Sequence, residues 1–119
     1  GFGDDFFAHM EEIDLCWRMK SIGKKVMVCP SAMVYHVGGG TLPVGSARKT
    51  YLNFRNSLYT IAKNVPKRFI FYVIIFRLIL DGIAGLKFVL ELRPVHTWSI
   101  IKAHFSFYRN LPKMIRKRR

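Results

Sequence analysis

Acidic residues are scarce in this chain, and the few present are crowded at one end. Of 119 residues seven are Asp or Glu, against twenty Lys and Arg. Five of the acids (Asp4, Asp5, Glu11, Glu12, Asp14) fall in the first fourteen residues, no Lys or Arg precedes Arg18, and no acid follows Glu91. The resulting formal charge of +13 implies an anionic partner, either nucleic acid or an anionic lipid surface. Cysteine is nearly absent too. Cys16 and Cys29 give no disulfide framework and lack the partners of a zinc site, so they read as reduced, small apolar residues of a cytoplasmic protein. No Asp-x-Asp occurs, no internal repeat is evident, and no secretory signal is visible. An initiator Met is also missing, and the chain opens inside a motif-like run. It is therefore expected to be a piece of a longer protein.

What is present is apolar material, enough for one small core. Residues 6–22 are predicted to form a helix, with Phe6, Met10, Ile13 and Trp17 on one face and Leu15, Met19 and Ile22 on a second strip. Glu11, Asp14 and Arg18 cluster between those strips, and the i,i+4 spacing of Asp14 and Arg18 suits an ion pair. Gly23 is a natural stop. Lys25–Cys29 and Ala32–His36 read as two short extended stretches, ended by Pro30 and by a glycine-rich loop over 37–46. A helix over Ala47–Asn64 follows, ended by Pro66. Phe69–Leu92 then forms a long apolar helix containing Gly82 and Gly85, and Pro94 opens another with Trp98, Ile101, Phe105 and Tyr108 on one face.

Three pieces in order carry a resemblance. Gly1-Phe2-Gly3-Asp4-Asp5-Phe6-Phe7, Glu11-Glu12-Ile13-Asp14-Leu15-Cys16-Trp17-Arg18 and Val34-Tyr35-His36-Val37-Gly38-Gly39-Gly40 together resemble the C-terminal part of the catalytic domain in glycosyltransferase family 2. There the pattern is a Gly-Phe-Asp-Glu-x-Phe-Phe lead-in, an E-D-x-D-L-x-x-R helix and an H-x-G-G segment. Glu12 stands where the family more often has Asp, which keeps a carboxylate and adds one methylene of reach. The likeness continues less distinctively through Lys49, Tyr51, Arg55 and Asn56, covering about two thirds of the chain.

The resemblance implies an α/β fragment, mostly helical: the end of a GT-A-type nucleotide-sugar transferase domain (1–46), a connecting helix (47–66) and a membrane-associated helical region with a basic tail (67–119). It implies inverting transfer of a sugar from a nucleotide-sugar donor to a hydroxyl of a glycan or lipid-linked acceptor, in cell-surface polysaccharide synthesis. Glu12 is then the base that takes the acceptor proton, with Glu11 its close competitor because Glu11 shares the face of Asp14 and Arg18. Two adjacent acids also suit a solvated or capping pair near a helix start. Asp14 and Arg18 orient the helix; Asp4 and Asp5 line the acceptor edge or cap the helix. His36 adds an imidazole to a divalent cation, Mn or Mg, held mostly by a missing N-terminal half. Gly38, Gly39 and Gly40 let backbone approach the diphosphate, with Lys49 and Arg55 as cations that either reach it or remain on a solvated face. On this reading the fragment alone is inactive.

Residues 69–92 are long enough to span a bilayer, which needs about 20 apolar residues. Arg77, Asp81, Lys87 and Glu91 stand against spanning, at about 2.5–3.5 kcal/mol for each charge at mid-membrane. An interfacial, monotopic hairpin on the cytoplasmic face of a bacterial inner membrane is preferred, with a single span second. The basic tail through Arg119 strengthens attraction to an anionic membrane surface. Packing on a missing domain, or an oligomer through 69–108, is the other way to cover these residues. A nucleic-acid partner is not expected, because Phe105, Phe107 and Tyr108 fall in apolar runs and are not interleaved with cations.

Overall fold

A computed structural model describes residues 1–38, 40 and 42–118. It is mostly helical: α1 (Glu11–Ser21), α2 (Ala47–Asn64), α3 (Lys67–Leu90) and α4 (Pro94–Arg116) account for all the regular structure among the described residues. The boundaries follow from local chemistry. The Ser46 hydroxyl accepts from the Lys49 N–H at 3.2 Å and opens α2. Val65, forced into extended backbone by Pro66, closes it. Pro94 takes the first position of α4, where its missing N–H is harmless. At the end of α1, Gly23 sits at φ +77° while Gly23 N–H bonds Lys20 O and Lys24 N–H bonds Met19 O, a Schellman closure.

Contacts between helices fix their directions. Thr50 Oγ1 lies 2.7 Å from His96 Nδ1 at the start of α2 and α4, and Arg118 reaches the Ala62 and Val65 carbonyls at their far ends. These two helices therefore run parallel. α3 returns on the outside of this pair, mainly against α4, its Gly85 carbonyl accepting from Thr97 Oγ1 at 2.7 Å. The core lies along this bundle: Leu58, Tyr59 and Ala62 of α2 meet Phe107 and Met114 of α4, and Phe6 closes the end with an edge-on contact to Tyr59. α1 packs on the last turn of α2.

Two expectations need correction. The α/β description does not hold for the described residues: Lys25–Cys29 and Ala32–His36 make no strand. Their backbones bond each other only through the Ala32 N–H to Cys29 carbonyl turn, and their apolar side chains stand in solvent, Val28 at 88 % and Tyr35 at 92 % exposure. A strand exists only when a neighbour satisfies its ladder, and no described segment does. Cys29 is likewise exposed, not buried.

The first helix also begins later than its apolar spacing suggests. Residues 6–10 form an irregular turn in which Phe7, His9 and Met10 all have positive φ, near 64–71°. The reason is Asn56. Its amide group donates to the carbonyls of Phe6, Ala8 and His9, and the Arg55 guanidinium donates to those of Asp5 and Phe6. These bonds take acceptors that a helix over 6–10 would have used for its own N–H groups.

Candidate functional site

α1 begins where the strained turn ends, so its first residues face outward beside the turn. His36, Val37, Gly40 and Leu42 lie beside them. Together they form a cleft of about 390 Å³ lined by His9, Glu11, Glu12, His36, Gly40 and Lys49, with Leu42 at its base. Glu12 is exposed to it, whereas Glu11 is half-buried. Two polar atoms there are buried without a hydrogen-bond partner among the described residues: Glu11 Oε2 and His9 Nε2. A buried acceptor left unpaired costs about 1–3 kcal/mol, so such atoms mark a place where water or a polar ligand belongs. The three positive-φ residues are a second sign, since strain of this kind collects at working sites.

The acids of the N-terminal run have separate duties. Asp14 is fully buried and accepts from Arg18 Nε at 2.9 Å, Lys63 Nζ at 2.9 Å and Asn64 Nδ2 at 2.8 Å. Burial pushes its carboxyl up. The Asn64 and Lys63 hydrogen bonds, the Lys63 charge and the Arg18 bond outweigh that and hold it below the usual carboxylate range. Arg18 also donates to the Gly1 carbonyl, so this pair ties α1 to α2 and to the chain start. Asp5 lies 2.6 Å from both Lys113 and Lys117 of the C-terminal tail. Its carboxyl is raised by burial and lowered further by those two lysines, with a net downward shift. Asp4 and Asp5 precede α1 by several residues and do not cap it. They border a different cleft, shared with Arg116, Lys117 and Arg118.

Of the residues singled out from sequence, the cleft therefore gathers Glu11, Glu12, His36, Gly40 and Lys49. Gly38 lies nearby in open space, where an added Cβ would touch nothing. Gly39 lies outside the described residues. Arg55 is placed elsewhere: its guanidinium stacks on Tyr51 and Tyr59 and braces the 5–6 carbonyls, so it is occupied within the fold. His9 went unnoticed in sequence, since a single His two residues before an acid carries no spacing that sets it apart. Among the described residues no three His, Cys, Asp or Glu side chains form a metal-holding group. His36 and the free Glu11 oxygen offer part of a divalent ligand set and not a whole one.

No protein family, no curated protein and no solved structure matches this chain. Its function must be argued from the site itself.

Outside the cleft, α3 is long and apolar enough to cross a membrane by length and composition, and little of it is covered by the rest of the fold. Phe71, Tyr72, Phe76 and Ile79 on α3, and Trp98 and Phe105 on α4, are all more than half exposed. Its charges are partly neutralised along the helix: Arg77 Nε lies 3.0 Å from Asp81, and Lys87 pairs with Glu91 at 3.7 Å.

Proposed function

We propose that the cleft is the acceptor-side portion of a nucleotide-sugar transferase site, held at an anionic membrane surface by α3, α4 and the basic tail. The reading is of GT-A type, with the donor base and most cation ligands supplied by a longer parent chain. The observation that carries it is convergence. Glu11 and Glu12, and His36, Val37 and Gly40, far apart in sequence and tied by no secondary structure, line one cleft with Lys49.

The chemistry asks for these residue types. Glu12, exposed in the cleft, takes the proton of an acceptor hydroxyl as that oxygen attacks the anomeric carbon, and the sugar–diphosphate bond breaks. The departing nucleoside diphosphate carries negative charge, which Lys49 and the backbone around Gly40 can face. A bound Mn or Mg ion would neutralise charge on that leaving group, with His36 and Glu11 as this chain's contributions. Asp14 and Arg18 position the helix that carries the base.

The test is turnover of a radiolabelled nucleotide-sugar by the parent protein in membranes, comparing wild type with Glu11→Gln and Glu12→Gln. Loss of the general base is expected to lower kcat by about 10²–10⁴-fold in Glu12→Gln, with a smaller effect in Glu11→Gln. The reverse ranking moves the base to Glu11. Unchanged turnover in both variants refutes the assignment.

A second reading is a basic membrane-surface module without catalysis. The exposed apolar faces of α3 and α4 beside many cations support it independently of the cleft, and the same turnover assay separates the two.

A further inference from the structure

The seam between α3 and α4 is not closed. A groove of about 540 Å³ runs along it, walled by Leu78, Leu86 and Val89 on one side and by Ile101, Phe105 and Tyr108 on the other. Ordinary small-molecule sites enclose about 300–1,000 Å³, so the space is large enough for a ligand. Gly82 shapes it. A Cβ built there would meet nothing within 4 Å, so the missing side chain leaves space in the groove and is not required by packing.

Charge lies beneath this apolar lining. Asp81 is 3 % exposed, 2.9 Å from His104 Nε2 and 3.0 Å from Arg77 Nε. His104 is itself buried, and its Nδ1 has no partner among the described residues. With the charge paired underneath and apolar side chains forming the walls, the open groove calls for an apolar occupant.

Charge decides between occupants. Across residues 67–118 there are eleven Lys and Arg and only two acids, Asp81 and Glu91; Asp81 is buried and paired. A second copy would bring the same +13 against itself. An anionic bilayer offers both things this surface lacks: hydrocarbon for the groove and negative head groups for Lys67, Arg68, Lys102 and Arg109, all exposed.

We propose that the α3–α4 groove seats one acyl chain of an anionic membrane phospholipid, entering from the open side. The proposal rests on the membrane-surface part of the reading above and not on the transferase chemistry.

The experiment uses the whole chain and phosphatidylglycerol vesicles doped with a phospholipid that carries a photoactivatable diazirine in its acyl chain. Irradiation and peptide mapping locate the adducts, and co-sedimentation reads vesicle binding separately. Adducts are expected in the segments 82–89 and 101–108. Gly82→Phe, or Ile101→Trp filling the groove from the other wall, should lower their yield about tenfold by excluding a few methylenes, while co-sedimentation and helix content hold. Adducts spread over Phe71, Ile75 and Ile79, or a yield unaffected by either variant, would overturn the proposal. So would a dimer in ultracentrifugation that Gly82→Phe dissolves. Wild-type protein that fails to sediment with vesicles overturns the membrane reading, and this one with it.

Discussion

Asp14 has no contact with solvent and three donors converge on it, two of them charged. Its i,i+4 bond to Arg18 was legible in the sequence, because helical spacing alone places those side chains together. Lys63 and Asn64 were not legible, since they come from a helix 49 and 50 residues away. Removing the charge leaves Lys63, only 8 % exposed, without its counter-ion. Asp14→Asn is therefore expected to lower stability by about 3 kcal/mol, read as a fall in the urea midpoint. The folded carboxyls of Asp14 and Asp5 lie below their ordinary value of 3.8, so their stabilisation is present above that pH and is lost as pH falls through the folded values. The urea midpoint should hold steady from neutral pH to about 5 and decline below about 4, less steeply in Asp14→Asn. A midpoint that Asp14→Asn leaves unchanged contradicts this account of α1's anchoring.

Helices with local punctuation were read from sequence nearly to the residue. Ser46 and Pro66 bracket α2 at Ala47–Asn64, Pro94 opens α4, and the apolar stretch expected over 69–92 is α3 at Lys67–Leu90. Failures came where the deciding partner is distant. The apolar spacing of Phe6, Met10, Ile13 and Trp17 imitates a helix face, yet Phe6 is buried in the core while Ile13 and Trp17 are partly exposed, at 46 % and 37 %. Asn56 and Arg55, some fifty residues on, explain the break. Asn56→Ala removes the side-chain donor of the part-buried Ala8 and His9 carbonyls and should cost about 2 kcal/mol. Hydrogen exchange is expected to quicken over residues 5–11 while the middle of α2 stays protected. If protection in 5–11 is unchanged, another contact holds the turn. The two extended stretches failed for a related reason: apolar content marks a strand candidate, but pairing needs a neighbour, and none lies among the described residues.

Taken whole, the molecule joins a small polar cleft to an apolar, cationic helical hairpin. Gly45, in the loop between the cleft and α2, would place a Cβ 3.7 Å from the Arg93 guanidinium at the α3–α4 corner, so the two regions touch. The sequence resemblance pointed to Glu11, Glu12 and His36 without showing that they meet; in the fold all three line one cleft. Four histidines allow a direct reading of whether that cleft takes a charged donor. His9 and His36 line it, whereas His96 is held by Thr50 and Arg93, and His104 lies beside Asp81. Mn²⁺ with a nucleoside diphosphate, titrated into the parent protein and followed by broadening of these four imidazole proton resonances, should broaden His36 and His9 first and leave His96 and His104 sharp. Sharp His36 and His9 signals, or equal broadening of all four, would contradict a transferase cleft at this position.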